Sequence, residues 1–212
     1  MAAIEERRAA ASFNAGTALK RLTMLALIAL TAVTISIHEA YFFRGPSAQL
    51  NRLQPFWPWL APHIATGAVA LLLGPLQFST TIRKKSLAVH RWLGRTYMAT
   101  VLISSVLALY IILRFEAPSA RWVMGTMAAL WLTTTAFAWL AAASHNLTQH
   151  KLWISRSHLF TFTFTTTRFA LDVIWPGIDG AGVTNYYWVL NIACLVIPDM
   201  VLWANSLRFR RA

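Results

Sequence analysis

The chain lacks most of what a water-soluble enzyme of its size would carry. Charged residues make up 12% of its 212 residues and only seven are acidic, whereas 57% are hydrophobic and the mean hydropathy is +0.51. The single cysteine, Cys194, excludes a disulfide framework and a cysteine-based metal motif. Glycine-rich phosphate loops are missing, and no serine or cysteine nucleophile arrangement is visible. These absences exclude an ordinary soluble domain.

Six apolar segments dominate the rest of the sequence. Each is about twenty residues long, which is the length that crosses a hydrocarbon core of ~30 Å at ~1.5 Å per residue. The sequence therefore predicts an all-α polytopic membrane bundle with six transmembrane helices in residues 22–206, between a tail of residues 1–21 and a basic tail of residues 207–212. No room remains for a separate soluble domain, so any chemistry must lie between helices or at their ends. The predicted spans are Leu22–Phe43, Leu60–Ile82, Thr96–Phe115, Trp122–Ala143, His158–Trp175 and Tyr186–Asn205.

The basic residues are distributed unevenly between the two ends of these segments. With a cytoplasmic N-terminus, fourteen of the nineteen lysines and arginines fall on the inner side and four on the outer side. Short cytoplasmic loops of membrane proteins carry such an excess, so both termini are predicted to be cytoplasmic. The net charge of +12 is then explained by topology and by contact with the lipid bilayer, and nucleic acid is not expected as a partner. The outer basic residues are Arg44, Arg52, Arg114 and Arg121, and Arg168 lies within a span.

Two segments depart from a simple apolar span. Residues 87–95 are amphipathic and basic, which predicts a stretch that lies along the inner surface before the chain turns into the membrane. The fifth predicted span contains five threonines between residues 161 and 167. A helix so polar should pack inside the bundle, with its hydroxyl groups bonded to the backbone or to neighbouring helices.

Three charged residues are predicted to lie within the bilayer. A charged side chain at the centre of a span costs roughly 2.5–3.5 kcal/mol, so it should find a partner. Arg168 and Asp172 are four residues apart on one helix face, and Asp199 falls on the inner half of the sixth span. Arg168 is expected near mid-membrane, where it could bridge both carboxylates. This group is either a static clamp between the fifth and sixth spans or a polar pocket for an anionic substrate, a quinone head or a proton path.

Histidines form two groups on opposite sides of the predicted membrane. Transmembrane b-type haem proteins bind iron between two imidazoles on facing helices, which makes haem b a candidate cofactor. His63, Gly67 and Gly74 share a helix face on which the missing side chains would admit a flat ring. Contacts of interfacial histidines with lipid headgroups are the alternative. The outer group is His38 and His63, and the inner group is His90, His145, His150 and His158.

A metal site of the zinc or copper type is not predicted. His145 and His150 are five residues apart, so on a helix they would point about 140° away from each other. Two histidines on one helix face need a step of four instead, and no carboxylate lies nearby in the sequence as a third ligand.

Three blocks of the sequence carry a family resemblance. They run from His63 to Phe78, from His90 to Tyr97 and from His150 to Ser157, with Thr167-Arg168 further on. Over about residues 60–175, the chain resembles a family of predicted bacterial membrane proteins, domain-of-unknown-function family 2306. The resemblance implies a multi-pass protein of the bacterial cytoplasmic (inner) membrane, but no activity. Its polar positions would be His63, Gln77, His90, Arg95, His150, Arg156 and Arg168, and the family's usual methionine in the third block is Ile154 here.

These observations support three functional hypotheses. The first is a membrane redox component that binds haem or a quinone. The second is a carrier or sensor of a small molecule, and the third is an accessory subunit that packs against a larger membrane complex. Whether the protein is an enzyme stays open at this point. The candidate residues are His63 on the outer side with His90 and His150 on the inner side for the first hypothesis, and Gln77, Arg168, Asp172 and Asp199 for the second.

Overall fold

A computed structural model describes residues 54–209 continuously, together with helical positions 22, 25, 26, 28–30, 32, 33 and 36. Within these, the side chains of Ser119, Asp172 and residues 205–209 are not described. The predicted N-terminal tail, most of the first predicted span, His38 and residues 210–212 therefore lie outside the described residues. The helices are α1 (Trp57–Gln77), α2 (Thr80–Lys85), α3 (Leu87–Phe115), α4 (Pro118–Ala143), α5 (Leu147–Phe169) and α6 (Gly180–Phe209), with a 3-10 turn at Gln54–Phe56 and a π-helical turn at Ala170–Ile174.

Four helices in the described part of the chain are long and apolar enough to cross a membrane. They correspond to the second, third, fourth and sixth predicted spans. Helix α5 has 23 residues, which is enough for a span, but its hydroxyl-rich composition keeps its hydropathy below that of the other four. Residues 54–209 form no β-strand, so the all-α prediction is confirmed for that range. The four membrane-crossing segments are Gln54–Gln77, Leu87–Phe115, Ala120–Ala143 and Gly180–Ala204.

Short polar side chains and a proline set the starts of the helices. Ser79, Ser86 and Asn146 each accept a hydrogen bond from the backbone N–H three residues later, at the starts of α2, α3 and α5. These bonds satisfy N–H groups that have no partner within the first helical turn. Pro118 opens α4, where its missing N–H is not needed and its fixed φ suits the helix.

Helix α3 begins earlier than predicted. Residues 87–95, expected to lie along the inner surface, form the first turns of a continuous helix of 29 residues. Ser86 caps its start, and no proline occurs among these residues to break the helix before the apolar part. The prediction of a separate surface segment is therefore wrong.

Neighbouring helices in the chain run antiparallel. We define the inner end of the bundle as the end that carries α2 and the turn between α4 and α5, and the outer end as the one that carries the turn between α3 and α4. Helix α1 packs on α3, α3 on α4, α4 on α5 and α5 on α1, which closes a ring of four helices. Helix α6 packs against α4 and α5. Helix α5 thus packs against α1, α4 and α6.

Hydroxyl groups from three helices meet in the middle of the bundle. Tyr97 Oη lies 2.9 Å from both Ser157 Oγ and Thr161 Oγ1, and Ser157 Oγ lies 2.7 Å from Thr135 Oγ1. The indole nitrogen of Trp131 donates to Thr161 Oγ1 at 3.0 Å. We name Tyr97, Thr135, Ser157 and Thr161, all buried, the hydroxyl cluster. The cluster joins α3, α4 and α5, which confirms that the polar fifth segment packs inside the bundle.

Helices α1 and α5 meet where Gly74 packs against the imidazole ring of His158. A Cβ atom on Gly74 would lie 2.1 Å from Cε1 and 2.2 Å from Nδ1 of that ring. Phe78, Tyr97 and Phe162 surround the ring at centroid distances of 5.3, 6.4 and 4.7 Å. The face of α1 that was predicted to admit a flat ring is therefore filled, at Gly74, by His158.

We expect Gly74→Ala to destabilise the bundle, because the added methyl group must displace His158 from its aromatic surroundings. The expected loss is about 1–3 kcal/mol, as for overpacking of a close-packed interior, although alanine favours a helix. Thermal unfolding of the purified variant in detergent measures it. Gly67→Ala is the matched control, since its Cβ would lie 3.4 Å from Ser104 Oγ, an ordinary contact, and its Tm should not fall. Equal losses in the two variants would contradict this account of the α1–α5 contact.

Candidate functional site

A cavity of about 490 Å³ lies between α1, α3, α4, α5 and α6 in the outer half of the bundle. Small-molecule sites in proteins commonly have volumes of about 300–1,000 Å³. The cavity extends from Phe56 and Glu116, at the outer ends of α1 and α3, to Trp131 and Thr161 beside the hydroxyl cluster. Most of its wall is apolar. Its polar lining residues include His63, Ser104, Glu116, Thr167, Arg168 and Tyr187.

His63 is held on the cavity wall in a fixed orientation by Ser104. Nδ1 lies 2.9 Å from the carbonyl oxygen of Ser104 and 3.0 Å from its Oγ, and that hydroxyl donates to the carbonyl oxygen of His63 at 3.1 Å. Since a carbonyl oxygen only accepts, Nδ1 carries the hydrogen and donates it. In the neutral ring, Nε2 then keeps a lone pair. His63 can therefore accept a hydrogen bond from a ligand in the cavity or bind a metal there.

A second polar group of the cavity comes from α5 and α6. Arg168 and Thr167 of α5 line the cavity beside Tyr187 of α6, and Arg168 is close enough to Tyr187 for its charge to act on the phenol. The guanidinium carbon of Arg168 lies 5.6 Å from the ring centroid of Phe164. The cavity thus has N–H and O–H donors on this side and a lone pair at His63.

Arg168 lies nearer the outer end than the sequence predicts. The fifth predicted span begins at His158, but α5 begins at Leu147, so Arg168 occupies the last turn of the helix. Hydropathy misplaces the start because the first half of α5 is polar, whereas Asn146 caps the helix before Leu147 and Ser157 finds partners inside the bundle. Asp172 falls in the π-helical turn that follows, and its side chain is not described, so its pairing with Arg168 stays a prediction.

Asp199 pairs with a different arginine from the one predicted. Arg156 Nη2 lies 2.5 Å from Asp199 Oδ2, and Arg156 Nε donates to the carbonyl oxygen of Leu195 at 3.1 Å. The same guanidinium lies 4.3 Å from the ring centroid of Trp153. Because α5 and α6 run antiparallel, their inner halves meet, whereas Arg168 is twelve residues, or about 18 Å, further along α5. The predicted bridge from Arg168 to Asp199 is therefore wrong.

The two inner histidines of the predicted cofactor site lie near each other and far from the cavity. His90 is in the first turns of α3 and His150 in the first turn of α5, and their charges are close enough to interact. His150 Nδ1 donates to the carbonyl oxygen of Ala138 at 2.9 Å, so its Nε2 keeps a lone pair, as in His63. The structure thus separates His63 from His90 and His150. Among the residues it describes, no three histidine, cysteine or acidic side chains are grouped to hold a metal ion.

Gln77 lies at the inner end of α1 and does not line the cavity. It is buried, and its Oε1 would lie 3.2 Å from a Cβ atom on Gly94 of α3. Within the described range, its amide nitrogen has no hydrogen-bond partner. The structure therefore does not bring Gln77 together with Arg168 in one pocket.

Sequence reasoning missed Ser104, Trp131 and Tyr187 as residues of the site. A usable signal for Ser104 was its position in an apolar segment, since a buried hydroxyl in lipid needs a partner on a nearby group. Trp131 lies in the middle of α4 rather than at an interface, which favours an internal role for its N–H. No comparable signal exists for Tyr187.

The comparison with known protein families identifies the family of the chain. The family model of domain-of-unknown-function family 2306, described as a predicted membrane protein, matches residues 60–204. The chain belongs to this family. The region that matches family 2306 contains the hydroxyl cluster, the inner histidines and every lining residue of the cavity except Phe56. No curated protein and no solved structure matches the chain, so its activity must be argued from the geometry.

We expect Arg156→Met to destabilise the bundle more than Asp199→Asn does. The arginine also donates to Leu195 and lies over Trp153, whereas the Asp199 side chain is 51% exposed, and such an ion pair contributes only about 0.2–1 kcal/mol. The carbonyl bond adds about 1 kcal/mol to the loss in Arg156→Met. Unfolding in mixed detergent micelles compares the two variants. Equal losses would mean that the ion pair alone holds α6 to α5, against this assignment.

Proposed function

We propose that the protein binds an amphipathic small molecule of the quinone class in the cavity between α1, α3, α4, α5 and α6. The observation that carries this proposal is the fixed orientation of His63, whose Nε2 is available on the wall of a mostly apolar cavity. Ligand sites of this kind bury an apolar body and orient it with a few polar groups. A quinone has such a body and two oxygens on its ring.

The two polar groups of the cavity match the two oxidation states of a quinone head. Arg168 and Tyr187 can donate hydrogen bonds to a carbonyl oxygen of the oxidised form. His63 Nε2 can accept a hydrogen bond from a hydroxyl group of the reduced form. Apolar residues such as Ile64, Leu71 and Phe160 line the remainder of the wall and suit the ring and its tail.

The charge of the cavity favours a neutral ligand over an anionic one. Glu116 lines the same cavity as Arg168, and the two opposite charges offset each other there. An anionic substrate would gain from Arg168 and lose to Glu116. A neutral head with hydrogen-bonding oxygens fits both groups better.

We further infer that the chain crosses the bacterial cytoplasmic membrane six times with both termini inside. The length of α5 supports a fifth described crossing, since its polar groups are enclosed by other helices rather than by lipid. Arg83, Lys84 and Lys85 in α2 support a cytoplasmic inner end. In this orientation the mouth of the cavity, at Glu116, lies toward the outside.

Binding of quinones to the purified protein in lipid nanodiscs tests the proposal. A short-chain benzoquinone or naphthoquinone should quench part of the tryptophan fluorescence in a saturable manner, because Trp131 lines the cavity. Arg168→Leu should weaken binding of the oxidised form about tenfold, the effect of one charge-assisted hydrogen bond. His63→Phe keeps an aromatic ring but removes both nitrogens, including the acceptor Nε2, so it should weaken binding of the reduced form more than that of the oxidised form.

Arg114→Leu is the matched control for Arg168→Leu. It removes an exposed arginine near the outer end of α3 that does not line the cavity, and quinone affinity should stay unchanged. Equal losses in the two arginine variants would contradict the assignment of Arg168. Absence of saturable binding of either quinone to the wild-type protein would overturn the proposed function.

Haem b at the inner end is the second candidate. The observation that favours it is the bond from His150 Nδ1 to the carbonyl oxygen of Ala138, near His90, since histidines that bind metal usually donate their other nitrogen in this way. Haem binding would be supported by a Soret band in protein from haem-replete cells, provided that the band is lost in His150→Phe. Saturable quinone binding without such a band would support a ligand of the quinone class instead of haem.

Cysteine labelling tests the orientation. Ala117→Cys, in the exposed turn between α3 and α4, should react with a membrane-impermeant maleimide in intact cells. Gln149→Cys, exposed at the inner end, should react only after the cells are opened. The native Cys194 is buried and should contribute no background. Labelling of Gln149→Cys alone in intact cells would mean that the orientation is inverted.

A further inference from the structure

Three buried nitrogen atoms at the junction of α1, α3 and α5 have no hydrogen-bond partner among the described residues. They are Nε2 of Gln77, Nδ1 of His90 and Nδ1 of His158. The Gln77 and His158 residues are only 8% and 9% exposed. An unpaired buried polar group costs about 1–3 kcal/mol, and such groups in proteins are normally bonded to another residue or to ordered water. A polar molecule is therefore expected beside each of them.

These three groups follow one another along the bundle axis. His158 packs on Gly74, and Gln77 lies one turn further toward the inner end on the same face of α1, where it packs on Gly94 of α3. His90 lies one turn beyond Gly94 on the same face of α3. A helical turn rises about 5.4 Å, which is too far for a direct hydrogen bond and close to the distance that one bridging water spans.

The outer end of this line meets the hydroxyl cluster and, through it, the cavity. The Tyr97 ring packs edge-on against His158 with 6.4 Å between centroids, and its hydroxyl bonds to Ser157 and Thr161. Thr161 is also part of the cavity wall. The cavity continues from there to Glu116 at the outer helix ends.

The inner end of the line reaches the surface of the bundle. His90 is only half-buried and lies near His150, which is also half-buried, in the first turn of α5. Lys151 next to it is exposed. Polar groups therefore extend from the outer end of the bundle, through the cavity, to the inner end.

We propose that Gln77, His90 and His158 hold a chain of internal water molecules that conducts protons between the cavity and the inner end of the bundle. Imidazole, hydroxyl and water each accept a proton on one side and release one on the other. At each transfer one O–H or N–H bond breaks and another forms on the next group, so a proton accepted at one end is balanced by a proton released at the other and no electron moves. The amide of Gln77 orients the water between the two histidines. This inference is independent of which ligand occupies the cavity.

Proton flux into vesicles that contain the purified protein tests the proposal. The vesicles enclose a pH-sensitive dye, and an outward potassium gradient with valinomycin drives protons inward. Wild-type vesicles should acidify faster than protein-free ones. Gln77→Leu, which replaces the amide by an apolar group of similar size, should lower the protein-dependent rate about tenfold, the effect of one lost hydrogen bond on a barrier. Gln77→Glu, which keeps a water-binding oxygen, should retain most of the rate.

Two further variants separate conduction from a general effect on the fold. Gln149→Leu also replaces a glutamine by leucine, but at an exposed position near the inner end. Vesicles with this variant should acidify as fast as those with the wild-type protein. His158→Phe keeps a ring against Gly74 but removes both nitrogens, so it should slow the flux independently of Gln77. Size-exclusion profiles identify the variants that fold.

The comparison of wild-type vesicles with protein-free ones requires no variant. Equal rates in these two preparations would overturn the proposal, as would folded Gln77→Leu and His158→Phe proteins that are as fast as Gln149→Leu. Proton flux in a protein that binds no quinone would support the proton path and contradict the proposed ligand. Quinone binding without proton flux would support the proposed ligand and contradict the proton path.

Discussion

A bilayer interior offers no hydrogen-bond partners, and this constraint decides where α5 lies. Ser157 and Thr161 on α5 obtain partners from Tyr97 of α3 and Thr135 of α4, so the polar helix is enclosed and the apolar helices are left to face lipid. The cavity begins at the outer side of these bonds and the unpaired inner nitrogens begin at their inner side. The hydroxyl groups therefore fix the position of α5 against α3 and α4.

The helices could be predicted from the sequence wherever burial in lipid alone decides the structure. Hydropathy is a local property of the chain, and α3 or α6 would be apolar in any arrangement of the bundle. The start of α5 could not be predicted in this way, because its first half is polar and its enclosure by Tyr97 and Thr135 depends on contacts between helices. Residues 87–95 show the opposite case, in which an amphipathic pattern alone does not tell a surface segment from the start of a longer helix.

Two members of the candidate site, His63 and Arg168, were predictable, but their partners were not. His63 and Arg168 could be selected because an imidazole or a charge within an apolar segment is costly. The spacing within one helix then tells which residues share a face, but it does not tell which helices meet or in what register. The pairing of Asp199 with Arg156, and the bond from His63 to Ser104, both depend on that register.

The length of α3 relates the protein to the thickness of its membrane. Its 29 residues extend about 43 Å along the axis, compared with a hydrocarbon core of ~30 Å. Arg91, Arg95 and the exposed Trp92 lie in the first turns of α3, and residues of these types are common at membrane–water interfaces. A thinner bilayer would be matched by tilting of α3 or by local thickening of the lipid, at a cost for each ångström of mismatch. Since Gln77 packs on Gly94 within these same turns, a change in the tilt of α3 would also move the surroundings of the Gln77 amide.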